Sequence, residues 1–203
     1  MEIISFGPHL VKTKLDEVAF DSIKTLSKET SSSMHNQLAG KIEFQKRFDQ
    51  TVGNEIFKFF KPKFTEFLNT WQQRNSRPDL NYDFHLENLW INRMKKGEYN
   101  PEHNHSGDIS FVYYVDVPDE IHQEANTGMS VPHGAIYFTY GKDVGGYPMN
   151  HFLDPIFDYV HIPKANELLI FPSYLYHTVQ QFDSDVERVS IAGNAFLEIK
   201  EGI

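Results

Sequence analysis

From residue 84 to residue 199 the sequence keeps to one texture, short apolar and aromatic runs cut by Gly, Pro or Asn. The runs fall at 84–94, 110–117, 134–140, 156–162, 167–172 and 188–199. Runs of this length, rich in β-branched and aromatic residues and bounded by turn formers, read as strands. A series of them reads as an antiparallel sandwich or barrel. In F-H-L-E-N-L-W-I-N-R-M (84–94), a period of two places Leu86, Asn88, Trp90, Asn92 and Met94 on one face.

The first 80 residues differ. I-I-S-F-G-P-H-L-V, within residues 1–12, reads as a short strand broken at Gly-Pro. Leu15, Val18, Ala19, Ile23 and Leu26 recur at helical spacing, as do Ile56, Phe59, Phe60, Phe64, Phe67, Leu68 and Trp71, with a kink expected at Pro62. Between them, residues 27–37 are polar and Ser-rich and read as a loop. The expectation is a mainly β protein with N-terminal helices, one domain over 1–203. Residues 1–80 form a mostly helical support and 81–203 the β core. An aromatic content of 14% supplies the core.

Cysteine is absent, so disulfides and thiolate metal sites are excluded, and any metal must be held by His and carboxylate. A net charge of -9, without a long basic run, argues against nucleic acid as a partner. No apolar run reaches membrane-spanning length and the N-terminus lacks a secretory pattern, so the expected protein has no membrane partner and is cytoplasmic.

Of the 10 histidines, His9, His35, His122, His133 and His151 lie in polar or turn-like contexts, and His85 and His161 lie in strand runs as ordinary core or surface residues. His103 and His105, in E-H-N-H-S-G-D, are different: residues i and i+2 of an extended chain share a face and aim at one point. A third ligand is offered by His177 in F-P-S-Y-L-Y-H-T-V. Arg188 opens an apolar strand, R-V-S-I-A-G-N, and a buried guanidinium needs an anion. A surface pair with Glu187 or Asp185 is the plain alternative for it.

H-x-H, then S-F-V-Y-Y-V, then L-L-I-F-P-S-Y-L-Y-H-T-V, then R-V-S-I-A-G-N resembles the iron(II)- and 2-oxoglutarate-dependent oxygenases, and within them the small prolyl-hydroxylase-like proteins of marine phages and bacteria. The resemblance spans residues 84–199. It implies a double-stranded β-helix, the jelly-roll or cupin-like barrel. It implies Fe(II), 2-oxoglutarate and O2, with ascorbate as reductant in vitro, and an oxidation coupled to conversion of 2-oxoglutarate to succinate. His103 and His177 match the family's two metal histidines, while His105 stands where the family usually has a carboxylate, with Asp108 as the alternative to it. Arg188 and Ser190 match the pair that grips the far carboxylate of 2-oxoglutarate. Tyr114 falls where related hydroxylases place a hydroxyl on that carboxylate, and Asn92 reaches toward its metal-proximal end. The implied substrate is a small molecule or a peptide, prolyl residues included, and a phage-encoded copy would act in the host cytoplasm. Tyr113, Tyr114 and Tyr176 flank the motifs, and residues 27–37 and 141–150 are candidate lids. Two other functions compete: a cupin-like three-histidine enzyme that does not use 2-oxoglutarate, and a non-catalytic binding module. The first gives Arg188 and Ser190 no task, and the intact three-histidine set argues against the second.

Overall fold

Arg188–Ile199 is the strand around which the sheet is organised, because both of its faces are buried for most of its length. Val189, Ile191 and Ala195 turn one way into a core shared with the helices. Arg188, Ser190 and Asn194, also buried, turn the other way. In this computed structural model, residues 7–29, 32–33, 40–76, 81–124, 132–141 and 158–200 are described. The elements run β1 (Val11–Lys14), α1 (Glu17–Leu26), β2 (Ser32–Ser33), β3 (Phe44–Arg47), α2 (Gln50–Arg74), β4 (Tyr82–Met94), β5 (Asn100–His103), β6 (Ile109–Asp116), α3 (Asp119–Gln123), β7 (Ile136–Thr139), β8 (Asp158–His161), β9 (Glu167–Pro172), β10 (Tyr176–Val179) and β11 (Arg188–Ile199).

They form a seven-stranded sheet, ordered β1-β9-β6-β11-β4-β3-β2, facing a four-stranded sheet, ordered β5-β10-β7-β8. All pairings are antiparallel. Between the sheets lies a second core that includes Ile42, Val112, Tyr114, Ile136, Phe138, Leu169 and Phe171. This is the mainly β, two-sheet barrel expected from the alternating runs.

α1 and α2 cover the outer face of the large sheet. Asp16 and Asp49 cap them, accepting hydrogen bonds from the backbone of Ala19 and Val52, each at 2.9 Å. In α2, Ile56, Phe60, Phe64 and Phe67 recur every three or four residues and are buried. Phe60 and Phe64 meet Phe111 of β6 edge-on, at ring separations of 5.4 and 5.2 Å. α2 is one element through Pro62.

The described part of residues 1–80 holds α1 and α2 and also gives the large sheet β1, β2 and β3. Among the described residues the first strand begins at Val11, after the Gly-Pro turn. Two expectations change. Val18, assigned to the apolar face of α1, is 76% exposed. Leu86 does not share a face with Asn88. β11 pairs Asn194 with Asn88 and the next residue, Ala195, with Leu86, so Glu87 is a bulge residue. Residues 1–6, most of the Ser-rich loop and residues 142–150 lie outside the described residues, so both candidate lids fall largely there.

Candidate metal centre

β5 and β10 exist as strands through their pairing. They are only four residues each, and their register sets His177 opposite His103. His105 lies beyond the end of β5, in the loop to β6, so the two histidines do not share one strand as the i, i+2 reading supposed. The loop is held from both sides. His105 N donates to the carbonyl of Ser173 at 3.0 Å, Ser173 N to that of Asp108 at 3.1 Å, and Asp108 N to that of Ala195 at 3.1 Å. Gly107, with φ +89°, makes the reversal, in a backbone region that an L side chain rarely adopts.

The three imidazoles converge. Ring centroids are 4.9 Å apart for His103 and His105, 4.3 Å for His103 and His177, and 5.2 Å for His105 and His177. One nitrogen from each lies within 4.8 Å of the others. His103 Nδ1 sits 2.7 Å from the carbonyl of Pro101 and His177 Nδ1 3.0 Å from that of Leu175. A carbonyl accepts only, so each Nδ1 carries the proton and each Nε2 keeps its lone pair. Burial lowers the pKa of all three, to about 4 for His105 and about 3 for His177; neighbouring imidazoles add to this for His105 and His177, while backbone hydrogen bonds oppose it for His103. Neutral, preoriented imidazoles are the form that binds a transition metal.

Asp108 stands apart. Its carboxylate is exposed and accepts a hydrogen bond from Leu197 N at 2.7 Å, tying the loop to β11, and it is not in the histidine cluster.

Below the histidines, one cross-strand row of the large sheet carries Gln45, Asn92, Ser190, Tyr114 and Glu167 on neighbouring strands. Asn92, Ser190 and Tyr114 line the same cavity as the three histidines, and so does Arg188 at the far end. The guanidinium is buried, at 3% exposure. It donates to the carbonyl of Gly134 and to Met94 Sδ, lies 5.8 Å from the Tyr114 ring, and its Nε has no hydrogen-bond partner. Glu187 is not its partner, being paired with Arg93 at 2.9 Å. Burial lowers the Arg188 pKa, which is what a buried cation lacking an anion must show. Burial also pushes the Tyr114 hydroxyl up to about 12, with Arg188 opposing and Glu167 adding, so at neutral pH it is a hydrogen-bond donor. An anion fits here, since it would meet an orphaned guanidinium N–H and two hydroxyls. The free volume is about 50 Å³, so a dicarboxylate enters only as side chains shift.

Sequence reasoning missed Gln45, whose Nε2 donates to Asn92 Oδ1 at 3.0 Å and leaves the Asn92 amide nitrogen free to donate. It also missed Asn100, which lines the cavity with a buried, unpartnered Oδ1, and Trp90, 5.9 Å from His105. Of the three flanking tyrosines only Tyr114 faces the cavity. Tyr113 packs under the helices and donates to Asn166, and Tyr176 is 50% exposed.

With its histidines neutral in the folded state, the metal-free protein is expected to lose stability as pH falls below about 6.5. In that window the unfolded chain takes up protons that the folded chain refuses, down to about 4 for His105 and about 3 for His177. Each group contributes a slope of up to about 1.4 kcal/mol per pH unit. Urea unfolding between these pH values measures it, and a flat profile would contradict the buried neutral cluster.

Comparison with known proteins supplies the remaining observation. No curated protein matches the chain. A Pseudomonas putida prolyl-4-hydroxylase structure superposes with a TM-score of 0.52 at 13% identity, over 95% of this chain and 93% of that one. The viral collagen prolyl hydroxylase of Paramecium Bursaria Chlorella virus-1, solved with 2OG, gives 0.50 at 16% identity, over 94% and 96%. SnoN, a non-heme alpha ketoglutarate dependent epimerase from nogalamycin biosynthesis, gives 0.57 at 13% identity, over 97% and 83%. At such identities the likeness establishes the double-stranded β-helix fold and nothing about substrate. The family model described as putative 2OG-Fe(II) oxygenase matches residues 88–194. That span is more than half of the chain and runs from one inward asparagine to its partner across the sheet, taking in all three histidines and Arg188. The chain therefore belongs to the putative 2OG-Fe(II) oxygenase family.

Proposed function

We propose that the protein is an Fe(II)- and 2-oxoglutarate-dependent hydroxylase whose metal is held by His103, His105 and His177. The observation that carries this reading is the pairing, in one cavity, of three convergent imidazoles with a buried arginine that has no carboxylate. His103, His105 and His177 would hold the metal with three imidazoles, leaving room for a chelating keto acid and O2. When bound, iron and 2-oxoglutarate supply the oxidation, with loss of CO2 from the keto acid and release of succinate.

The chain's own part is binding and orientation. The carbonyls of Pro101 and Leu175 fix two imidazoles by their Nδ1 protons. Arg188 gives up its Met94 thioether contact for the far carboxylate, helped by the Ser190 and Tyr114 hydroxyls. Gln45 turns the Asn92 amide nitrogen toward the cavity. Ile42, Ile136, Phe171 and Val179 wall the cavity and exclude water. The substrate is a small molecule or a peptide, with prolyl residues the first class to test. No helix among the described residues is long and apolar enough to cross a membrane.

The test is spectroscopic, then chemical. Under anaerobic conditions, Fe(II) and 2-oxoglutarate together should give a weak visible charge-transfer band that neither gives alone. Admitting O2 with ascorbate should then yield succinate slowly without added substrate. An added oxygen is expected by peptide mass spectrometry on Trp90 or Tyr114, which face the site, and not on Tyr113 or Tyr176. Absence of both the band and succinate would refute the reading.

A further inference from the structure

β4 breaks its own alternation. Leu86 and Leu89 both face α2, where a Cβ added at Gly53 would lie 3.5 Å from one and 3.9 Å from the other. Two residues of the same face three positions apart require an extra residue between them. The bulge opposite Asn194 and Ala195 supplies it, so Glu87 and Asn88 both point to the other side, the side of the histidines.

Asn88 has its partners there. Asn194 Nδ2 donates to Asn88 Oδ1 at 3.1 Å, and Ser110 Oγ lies 2.8 Å from Asn194 Oδ1 and 2.9 Å from Ser173 Oγ. That network is satisfied without Glu87. The Glu87 Oε2 is buried with no hydrogen-bond partner. It borders Gly107 of the loop that carries His105, where a Cβ would lie 3.5 Å from it. Further out on the same face, Phe196 is 45% exposed, and His85 is already paired with Glu198 at 2.6 Å.

We propose that Glu87 is the substrate-recognition residue of this site and that it takes a cationic group, an ammonium or guanidinium, on an aliphatic body that rests against Phe196. This rests on the oxygenase reading for the meaning of "substrate", though not for the binding itself. A carboxylate is an acceptor only, so an orphaned carboxylate oxygen calls for a donor, and a charged donor gains most where water is excluded. The net charge of -9 favours approach of a cation over an anion. Arg188, opposite Met94, and Glu87 thus lie at opposite ends of the β4 stretch that carries Trp90 and Asn92, one set for an anion and one for a cation.

The experiment is calorimetric titration of the full chain, metal-free and again with Fe(II) and 2-oxoglutarate under anaerobic conditions. The probes are matched pairs, Nα-acetyl-lysine amide against Nα-acetyl-norleucine amide, and Nα-acetyl-arginine amide against its citrulline counterpart. The expected result is a preference of roughly tenfold or more for the cationic member, weakening as salt is raised and abolished in Glu87→Gln. Fe(II) and 2-oxoglutarate affinities should be unchanged in that variant. Equal binding of the neutral probes, no binding of either, or an undiminished preference in Glu87→Gln overturns the proposal. Loss of Fe(II) binding in folded Glu87→Gln also overturns it, because Glu87 would then be a clasp for the Gly107 loop. Should Glu87→Gln fail to fold, Glu87→Asp, which keeps the charge, decides. Cation preference retained there supports the proposal, and its absence in folded Glu87→Asp sinks it. If Fe(II) and 2-oxoglutarate do not bind while the cation preference stands, it is the oxygenase reading that has failed.

Discussion

His177→Ala is expected to lower metal affinity by at least about a hundredfold, since even partners one step removed from a metal cost 10–100-fold. His177 is the most buried of the three, at 4% exposure, and the one whose ring is packed between Phe171 and Phe138, at 5.0 and 5.6 Å. No other described acid or imidazole joins this cluster to replace it. Asp108→Ala is the control. It removes the hydrogen bond to Leu197 N, costs about 1 kcal/mol or less of stability, and leaves metal binding intact. Metal content after dialysis, with titration of Fe(II) or Mn(II), measures both. Retention of metal by His177→Ala, or its loss in Asp108→Ala, would return the carboxylate to the ligand set.

Arg188→Met is expected to move two properties in opposite directions. Cosubstrate binding should fall by roughly tenfold to a hundredfold, because a charge-assisted hydrogen bond is worth about 1.5–3 kcal/mol. The stability of the protein without cosubstrate should hold or rise, by about 1–4 kcal/mol at most. Arg188 is a buried cation whose hydrogen-bond partners in the free protein are a carbonyl and a thioether, and a methionine of similar length fills its place without a charge to desolvate. 2-Oxoglutarate titration and urea unfolding of the same preparation give the two readings. A variant that binds 2-oxoglutarate as tightly as wild type ends the anchor role. One that is several kcal/mol less stable shows the guanidinium to be structural.

Much of this was legible because the relevant signals are local. β6, β9 and β11 announce themselves as apolar runs, and the residues proposed for the metal and cosubstrate lie on or beside them. Asn92, Ser190 and Tyr114, far apart in sequence, fall on one cross-strand row. What failed was whatever depends on pairing. N-P-E-H and Y-H-T-V, the strands that bear His103 and His177, have neither apolar alternation nor length, and are extended because β5 pairs with β10 and β10 in turn with β7. F-Q-K-R gave no reason to suspect a strand, so Gln45 went unseen. The displacement of Glu87 was invisible because the alternation Leu86, Asn88, Trp90 runs unbroken through the letters, while the partner strand slips by one.

The place of β11 in the sheet has a consequence for how the protein comes into being. It is the last strand described, yet it lies at the centre, between β6 and β4. While the chain is being synthesised, β4 and β6 therefore exist with their facing edges open, and Arg188 and Ser190 have not yet been made. β1 waits for β9 in the same way, with Lys14 opposite Glu167. Pairings this distant are slow to form and keep strand edges exposed meanwhile. The cavity is thus assembled only after synthesis has passed residue 199, and whatever it binds is acquired once β11 has entered the sheet.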